Sequence, residues 1–410
     1  MNDVCIIGMG RVGLPLALSL EEHGLHIGGV DLNHEALNAA FQKGEMPFFE
    51  PEYDDLVKTS KIKISPAHQY PESKAYVITV GTPLKQHIET DLSYVKNVVE
   101  SLFNGVDMTD KLLILRSTLS PGTTTYIKNW INTKTKYEVG KNVFLAMCPE
   151  RLAEGVAHQE LTQLPQIIGT EDNESFSRAQ SIFSVFGVKI FHTNYIEAEL
   201  SKLFCNIYRY VNFSIPNYFA YLCDCYGVDS NSVFNAMNTD YPRNSGLKKP
   251  GFAAGTCLRK DWGMLNQNFP QTDLILQAYK INEFMPKFYC DLVGNNMMGK
   301  NVGILGYTMK NDTDDTRDSL TPKLIRYIEK YVPKNIFIAE PYLPCGHYDD
   351  MKFNEYVFEN EKIEDVINKS DIIFIAMNHT QFKSLNKSLF KDKIVVDIWN
   401  IFKEKTVNNW

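Results

Sequence analysis

The chain has 410 residues, more than one ordinary hydrophobic core organises, so we expect roughly two or three domains. Its 44% of hydrophobic and 22% of charged residues are typical of a soluble globular protein, and no run approaches the about 18 apolar residues that a membrane span requires. The net charge of -7 argues against a surface that binds nucleic acid.

The beginning of the chain has the pattern of a dinucleotide-binding unit. The apolar run 4–7 ends in the glycine turn Gly-Met-Gly-Arg-Val-Gly at 8–13, and residues 14–20 have the composition of a helix. Such glycines let backbone N–H groups approach a pyrophosphate at the helix N-terminus. A second apolar run, 27–30, ends in Asp31, whose carboxylate would bind a ribose 2′-hydroxyl and repel a 2′-phosphate. The carboxylate favours NAD over NADP as the cofactor. The turn and Asp31 together favour a dinucleotide site over a glycine turn that binds no ligand. The predicted cofactor-binding residues of this unit are Gly8, Gly10, Arg11, Val12, Gly13 and Asp31.

Further apolar runs predict the remaining strands of a doubly wound sheet. They fall at 75–80, 112–115, 143–146, 166–168 and 188–191. Ligands of such sheets bind beyond the carboxyl ends of the strands, where polar residues occur three times in this chain. These residues are Thr82 with Pro83, Ser117 with Thr118, and Glu150. Any one of them is compatible with an ordinary turn, but three successive polar strand ends favour a cofactor cleft.

A run without glycine, from 196 to 226, has apolar residues at helical spacing and predicts one long helix. Pro216 inside the run predicts a kink. Lys202, Asn206 and Arg209 share one face of this helix, and they either point at one site or form a solvated polar stripe. The aromatic residues of the segment are typical of a dimer surface.

The segment 248–261 surrounds one cysteine with small residues. Residues 250–255 are mostly small and leave a substrate carbon room to approach the Cys257 thiol. Lys260 and Asp261 follow closely and are suited to tune its charge, because the thiolate is the nucleophile and a nearby cation lowers a cysteine pKa. The alternative is an inert, buried cysteine in a loop.

The remaining cysteines show neither a disulfide framework nor the spacing of a metal site. Of the eight cysteines in the chain, Cys223 and Cys225 are the closest pair, and no histidine accompanies them. The N-terminus has neither the basic nor the apolar region of a signal peptide. We therefore expect a cytoplasmic protein with reduced thiols and no metal site.

Residues 302–307 begin a second nucleotide-like unit, because they repeat the strand and glycine turn. Later strands are predicted at 335–339, 371–376 and 394–396. No acid follows the second strand in the manner of Asp31, and Glu340 is the nearest candidate. Lys310 and Arg317 lie in the loop after the turn and are suited to hold phosphates. The chain is thus predicted to be an α/β protein with two Rossmann-like doubly wound domains joined by a long central helix.

The order of these motifs resembles the UDP-glucose/GDP-mannose dehydrogenase family over nearly the whole chain. The resemblance is carried by Gly8 to Gly13 with Asp31, Gly81-Thr82-Pro83 with Asp91-Leu92, Ser117-Thr118, Pro149-Glu150 with Glu154-Gly155, Ala198-Glu199-Leu200 with Lys202 and Asn206, the Cys257 segment, Lys310 with Asp315-Thr316-Arg317, and Asp397. It implies that the C6 alcohol of a nucleotide sugar is oxidised to a carboxylate with two NAD. It also implies a homodimer with an NAD-binding domain at 1–195, a helical dimerisation domain at 196–297 and a UDP-binding domain at 298–410.

The resemblance further implies the roles of individual residues. Cys257 captures the intermediate aldehyde as a thiohemiacetal, which a second hydride transfer converts into a thioester that water releases. Lys202 and Asn206 stabilise the developing oxyanion. Asp261, Glu150 and Thr118 accept protons or orient water.

Binding residues follow from the same resemblance. The further cofactor-binding residues are Thr82, Pro83, Ser117, Thr118, Glu154 and Arg317. The substrate-binding residues are Glu150, Arg151, Leu152, Lys202, Asn206, Arg209, Gly251, Phe252, Lys310 and, from the neighbouring subunit, Arg243. The chain departs from the family pattern at Ala253-Ala254, at Ala339-Glu340-Pro341 and at Trp399, where an arginine is common.

The choice of sugar depends on few residues. Arg209 and Asn212, which follow Asn206, resemble the pattern of UDP-N-acetylhexosamine 6-dehydrogenases, and Arg151 agrees with it. We favour UDP-N-acetylmannosamine or UDP-N-acetylglucosamine, with UDP-glucose as the alternative. Two other classes remain open. A β-hydroxyacid dehydrogenase would transfer a single hydride without a nucleophilic cysteine, and a silent NAD-binding scaffold would transfer none.

Overall fold

The computed structural model describes residues 1–85, 90–266, 273–349 and 356–409. The chain divides into two units. The first consists of Met1–Cys205 and Gly263–Pro270, and the second of Asn206–Trp262 and Gln271–Trp410.

The first unit contains a mixed, mostly parallel sheet. Its strands are β1 (Asn2–Ile7), β2 (Ile27–Asp31), β3 (Lys63–Pro66), β4 (Ser73–Ile78), β5 (Leu112–Leu115), β6 (Phe144–Met147), β7 (Gln166–Gly169) and β8 (Ile190–Thr193). They lie in the order β3-β2-β1-β4-β5-β6-β7-β8, and all neighbouring strands are parallel except β6 and β7. This order places the carboxyl ends of β1, β4 and β5 side by side at one edge of the sheet.

Helices cover both faces of this sheet. They are α1 (Gly13–Glu22), α2 (His34–Lys43), α3 (Asp54–Thr59), α4 (Ser93–Gly105), α5 (Thr123–Lys134), α6 (Ala157–Leu161) and α7 (Asn173–Phe183), and the long helix α8 (Tyr195–Cys225) follows. Side chains alternate along a strand, so Val4 and Ile6 pack in one hydrophobic cluster while Cys5 and Ile7 pack in the other. Two buried faces explain why the strands are nearly continuous apolar runs.

The second unit contains another mixed sheet. Its strands are β9 (Asn301–Leu305), β10 (Asn335–Ala339), β11 (Gly346–Asp349), β12 (Val357–Asn360), β13 (Ile372–Ile375), β14 (Ile394–Asp397) and β15 (Val407–Asn409). They lie in the order β11-β12-β10-β9-β13-β14-β15, with the edge strands β11 and β15 antiparallel to their neighbours. The helices of this part are α9 (Ser230–Asn238), α10 (Thr256–Asn266), α11 (Asp273–Asp291), α12 (Thr321–Glu329), α13 (Ile363–Lys369) and α14 (Thr380–Lys383).

The predicted fold class is confirmed: two mostly parallel α/β sheets and the long helix α8 are present. Pro216 lies within α8, and the kink at this residue stays a prediction. Four strands were not predicted from the sequence: β3, β11, β12 and β15. All lie at or next to sheet edges, and β3, β11 and β12 contain exposed polar residues instead of an apolar run. Among the described helices, none is long and apolar enough to cross a lipid bilayer.

Candidate active site

The glycine turn after β1 has the geometry that its sequence predicts. Gly8 has a φ of +101°, and a Cβ on Gly13 would stand 1.9 Å from the Gly8 carbonyl oxygen, so both positions require glycine. Gly10 is exposed, and no described atom lies within 4 Å of the place where its Cβ would stand. The first turn of α1, which follows Val12, carries no acidic residue. The turn and the helix N-terminus therefore fit the pyrophosphate of a dinucleotide.

Asp31 fixes the same turn from the end of β2. Its Oδ2 accepts a hydrogen bond from Met9 N at 2.7 Å, and its Oδ1 accepts one from Asn33 N at 2.7 Å. The carboxylate thus lies beside the glycine turn, where a ribose hydroxyl is expected. Arg11 lies near a second predicted cofactor-binding residue, since its Nη1 is 3.9 Å from Glu154 Oε2.

The loops after β4 and β5 are tied together. Thr82 Oγ1 donates to the carbonyl oxygen of Thr118 at 2.7 Å, and Ser117 Oγ donates to the carbonyl oxygen of Val80 at 2.7 Å. The carbonyl oxygen of Pro83 accepts a hydrogen bond from the backbone N–H of Asp91 at 2.7 Å. The structure therefore brings together four residues that the sequence analysis assigned to the cofactor cleft.

Glu150 is held by a buried ion pair that the sequence analysis did not anticipate. Arg116, only 1% exposed, donates from Nε to Glu150 Oε2 at 2.7 Å. Glu150 Oε1 accepts the backbone N–H groups of Arg151 at 2.6 Å and Leu152 at 2.8 Å, and the Arg151 guanidinium donates to the carbonyl oxygen of Pro165. Because both oxygens already accept hydrogen bonds, Glu150 shapes the turn 150–152. An arginine at the end of β5, opposite the end of β6, is the signal that was available in the sequence.

The polar face of α8 is only partly buried. Lys202 and Asn206 lie on successive turns and are buried, whereas Arg209 is exposed. Asn206 Nδ2 donates to Oδ2 of the fully buried Asp261 on α10 at 2.6 Å. The structure thus joins two predicted catalytic residues by a direct hydrogen bond and leaves Arg209 on the surface of the chain.

The segment around Cys257 is a loop only as far as Gly255, because α10 begins at Thr256. Gly255 has a φ of +102°, which an L side chain rarely adopts, and its N–H donates to the carbonyl oxygen of Asp318 at 3.2 Å. The glycine lets the extended segment turn into the helix. Cys257 is the second residue of α10, and its side chain lies outside the described part of the structure. Asp261 follows one turn later on the same face of the helix.

Trp399, which stands where the family often has arginine, packs on the predicted substrate loop. A Cβ on Gly251 would lie 2.6 Å from a ring carbon of Trp399, so the indole covers the glycine backbone directly. The indole N–H donates to the carbonyl oxygen of Ala376 at 2.9 Å. Phe252 is buried against Tyr289, with 6.0 Å between ring centroids.

Near Trp399, Asp397 ends β14. Burial raises the pKa of this carboxyl above its ordinary value, although its Oδ2 accepts a hydrogen bond from Phe402 N at 2.9 Å. The end of β14 therefore combines a buried acid and an aromatic cover.

The second glycine turn, after β9, repeats the first. Gly306 has a φ of +100°, and Glu340 Oε2 accepts the N–H groups of Tyr307 at 2.7 Å and Thr308 at 3.1 Å. Glu340, the nearest candidate in the sequence, therefore does occupy the place of Asp31, and the expectation that no acid does so is wrong. Glu340 follows β10 directly, which was the available signal, but a longer connection between the two strands concealed the correspondence.

The loop after this turn carries Lys310 and Arg317. Arg317 Nε donates to Asp315 Oδ1 at 2.8 Å, and the Lys310 carbonyl oxygen accepts a hydrogen bond from Thr308 Oγ1 at 2.9 Å. Arg243 lies elsewhere, in the exposed 3₁₀ turn Pro242–Asn244. Among the described residues, no group of three or more His, Cys, Asp and Glu side chains is arranged to hold a metal ion.

Three family models match successive parts of the chain. The NAD binding domain of the UDP-glucose/GDP-mannose dehydrogenase family matches residues 2–187, the central domain matches 196–283, and the UDP binding domain matches 303–404. The glycine turn with Asp31 lies in the first of these matches and the turn with Glu340 in the third.

Full-length relatives agree with these models. The UDP-N-acetyl-D-mannosamine dehydrogenase of Pyrococcus horikoshii is 31% identical, over 98% of this chain and 97% of that protein. The enzyme of the same name from Methanococcus vannielii is 30% identical, over 98% of this chain and 93% of that protein. The solved structure of the UDP-D-ManNAc dehydrogenase from Pyrococcus horikoshii superimposes with a TM-score of 0.87 at 30% identity, covering 99% of this chain and 97% of that one.

These matches confirm the resemblance drawn from the motifs, and with it NAD as the cofactor and oxidoreduction as the class of reaction. The UDP binding domain further supports a UDP-sugar as the substrate. The chain is an NAD-dependent enzyme and belongs to the UDP-glucose/GDP-mannose dehydrogenase family.

Proposed function

We propose that the protein oxidises the C6 alcohol of UDP-N-acetylmannosamine or UDP-N-acetylglucosamine to the carboxylate. The observation that carries this proposal is the buried hydrogen bond of 2.6 Å between Asn206 and Asp261. It joins a predicted oxyanion donor on α8 to an acid on the helix that begins beside Cys257. An amide oriented by a buried carboxylate is suited to hold a negatively charged oxygen in one place.

The chemistry requires a nucleophile because an alcohol becomes an acid in two oxidations. NAD, when bound, accepts one hydride in each of them. Between them, the Cys257 sulfur forms a bond to the aldehyde carbon and its proton goes to the carbonyl oxygen, which gives a thiohemiacetal. Loss of the second hydride, together with the hydroxyl proton that a carboxylate such as Asp261 accepts, leaves a thioester. Water then cleaves the C–S bond to release the carboxylate and the thiol.

The polar residues of α8 and α10 assist these steps. The Lys202 ammonium and the Asn206 amide donate to the oxyanion, an effect commonly of about 3 kcal/mol per donor. Asp261 accepts one N–H of the Asn206 amide, which fixes the orientation of the amide and leaves its second N–H for the oxyanion. Asp261 also accepts a proton from the attacking water. Thr118 positions the attacking water, and Glu150 shapes the turn 150–152 that holds the substrate.

The choice of an N-acetylated sugar has two supports. The relatives at 30% and 31% identity carry the name UDP-N-acetyl-D-mannosamine dehydrogenase. Arg209 and Asn212 follow the catalytic asparagine, and a guanidinium with an amide is suited to bind an acetamido carbonyl. UDP-glucose is the second candidate, because family membership alone permits it.

A homodimer is part of the proposal. Helix α8 exposes large apolar side chains, including Phe204 at 54% and Tyr208 at 69% exposure, and others at Ile215, Tyr218 and Tyr221. Exposed apolar residues of this size are typical of interaction surfaces. Arg243 is exposed and would reach the substrate of the neighbouring subunit. The domain division at 1–195, 196–297 and 298–410 and the cytoplasmic location belong to the same proposal.

The test is NADH formation by the purified protein with UDP-glucose, UDP-galactose, UDP-GlcNAc, UDP-ManNAc and GDP-mannose. We expect two NADH per molecule of UDP-ManNAc or UDP-GlcNAc, with a carboxylate as product. One NADH per sugar without a carboxylate would sink the four-electron mechanism. A preference for UDP-glucose would replace the proposed sugar and leave the mechanism intact.

A variant separates the nucleophile from the remaining machinery. Cys257→Ser should lose nearly all net turnover, because an alcohol is a much weaker nucleophile than a thiolate. Full activity of this variant would remove Cys257 from the mechanism.

A further inference from the structure

Two buried asparagines connect the loop before Cys257 to helix α8. The backbone N–H of Gly251 donates to Asn217 Oδ1 at 2.8 Å. Asn217 Nδ2 donates to Asn282 Oδ1 at 2.9 Å, and Asn282 Nδ2 donates to the carbonyl oxygen of Tyr210 at 3.1 Å. Both side chains are 0% exposed. The chain of hydrogen bonds thus runs from the loop, through a side chain of α8 and a side chain of α11, back to the backbone of α8.

The two ends of this chain fix its direction. A backbone N–H can only donate and a carbonyl oxygen can only accept, so each amide between them has one orientation that satisfies every group. Reversing either amide would set two acceptors or two donors against each other. The loop is therefore held in one register relative to α8.

Burial of two amides costs free energy unless both are hydrogen-bonded, so this pair favours the arrangement that satisfies both. Asn217 and Asn282 lie in a region whose buried residues are otherwise apolar and aromatic, among them Ala220, Met285 and Phe288. A buried amide stabilises no more than an apolar side chain of the same shape, whereas it strongly favours the one arrangement that satisfies it. The pair is thus better suited to define a position than to add stability.

Other contacts hold the same loop and agree with this interpretation. The Trp399 ring covers Gly251 on one side, with 2.6 Å to the place where a Cβ would stand. At the other end, Gly255 donates to Asp318, and Met309 Sδ would lie 2.8 Å from a Cβ on Gly255. The loop is thus fixed at Gly251 and again at Gly255, which lies two residues before Cys257.

We propose that Asn217 and Asn282 are positioning residues that set where the chain enters α10, and thereby place Cys257 relative to Asn206 on α8. This rests on the proposed role of Cys257 as the nucleophile. Neither asparagine needs to touch the substrate for this effect, because both act through the backbone of Gly251. A misplacement of about 1 Å in an active site is able to cost roughly 100-fold in rate.

The test uses Asn217→Asp and Asn282→Asp in the full chain. Each substitution preserves shape but replaces a donor by an acceptor, so one link of the chain becomes repulsive. We expect kcat with the UDP-sugar to fall roughly 10- to 100-fold, with the KM for NAD unchanged because the turn 8–13 lies in the other unit. The milder Asn282→Ser retains a hydroxyl that accepts and donates, and it should lose less activity than Asn282→Asp.

A matched control separates positioning from a loss of stability. Ile338→Ala removes a buried side chain of β10 in the same unit and should lower the unfolding temperature without a large change in kcat at 25 °C. If this control loses as much kcat as the asparagine variants at equal fraction folded, the positioning role is overturned.

A second readout needs no substrate. The rate at which iodoacetamide alkylates Cys257, measured by mass spectrometry of its peptide, should change several-fold in the asparagine variants, while the exposed Cys345 reacts at its usual rate. Wild-type kcat together with an unchanged Cys257 alkylation rate would overturn the inference and leave the proposed function standing. A changed alkylation rate in a protein that oxidises no UDP-sugar would overturn the function and leave the positioning role standing.

Discussion

Glu199 is a buried carboxylate outside the predicted site residues, and it caps a helix from a distance. Its Oε2 accepts the N–H of Gly122, and its Oε1 accepts both the N–H and the hydroxyl of Thr124, at 2.6 to 2.7 Å. These donors lie at the beginning of α5, where backbone N–H groups have no partner within the helix. The acid that precedes Lys202 on α8 therefore has an architectural explanation in its own contacts.

Glu199→Gln should lower the stability of the protein by about 1 to 3 kcal/mol, because the new amide turns N–H groups towards backbone donors. Burial raises the pKa of Glu199, so the folded protein binds its proton more tightly than the unfolded chain. The wild type should therefore lose stability as the pH rises from the ordinary value of 4.5 through the raised pKa, and the variant should lack this slope. The midpoint of urea unfolding, followed across pH, measures both effects. An identical pH slope in the two proteins would contradict the assignment.

The ring of Trp399 leaves no room for a residue larger than glycine at position 251. The three atoms nearest to a Cβ at this position all belong to Trp399. Gly251→Ala should therefore lower the unfolding temperature and the activity, since ring and loop must move apart. In a Trp399→Leu background the same change should cost much less. Differential scanning calorimetry of the four proteins gives the coupling, and strict additivity would show that another contact excludes the side chain.

At the scale of elements, His379, which follows β13, connects the end of that strand to the loop that contains Asp312 and to Glu340 at the end of β10. It is 0% exposed, and its Nδ1 accepts the N–H of Asp312 at 2.9 Å, which leaves Nε2 to donate to Glu340 at 3.1 Å. Asp312 in turn accepts hydrogen bonds from Thr380 and Tyr342 at 2.8 Å. The loop that carries Lys310 is thus fastened to the ends of β10 and β13.

His379→Leu should weaken binding of UDP roughly 10-fold while leaving NAD binding unchanged, because the loop would lose its fastening but the first glycine turn would not. Isothermal titration with UDP and with NAD measures the two affinities. Equal losses for both ligands would indicate general unfolding instead of a local effect.

Asp312 makes the same loop sensitive to acid. Burial acts to raise its pKa, but hydrogen bonds from Thr380 and Asn311 outweigh this and lower it to about 2. Its contribution to stability should be complete above the ordinary value of 3.8 and be lost as the pH falls towards 2. Hydrogen exchange of residues 308–318 at decreasing pH should detect the loosening, and Asp312→Asn should abolish its pH dependence.

Sequence patterns predicted elements and motifs well where one physical requirement decides them. The run 4–7, the turn 8–13 and Asp31 each follow from burial, backbone freedom or charge, and the structure places them as expected. The role of Glu340 was not predicted because it depends on the pairing of β10 with β9, which brings this residue to the turn at Tyr307. Spacing along the chain does not reveal that pairing. Asn217 and Asn282 are separated by 65 residues, so nothing in either local pattern indicates that they meet.

At the scale of the whole molecule, the two units use one device twice. In each, a glycine with φ near +100° follows a buried strand, and a carboxylate from the end of the neighbouring strand accepts a backbone N–H of the turn. Asp31 accepts one such N–H and Glu340 accepts two. The same backbone solution therefore serves an NAD binding domain and a UDP binding domain. Specificity must then come from side chains around each turn.

Subunit exchange tests the proposed contribution of Arg243 to the neighbouring active site. Cys257→Ser and Arg243→Ala should each be nearly inactive alone. In a mixed dimer, one site combines Cys257 of the second variant with Arg243 of the first, so it is intact. Random exchange makes half of the dimers mixed, and the mixture should regain about a quarter of the wild-type activity.

The control for this experiment is sedimentation at several protein concentrations, which establishes that dimers form and exchange. Tyr208→Glu places a charge on the exposed face of α8 and should yield monomers that lose activity. An inactive mixture despite exchange would mean that Arg243 acts within its own subunit, because then each mixed dimer contains no site with both residues.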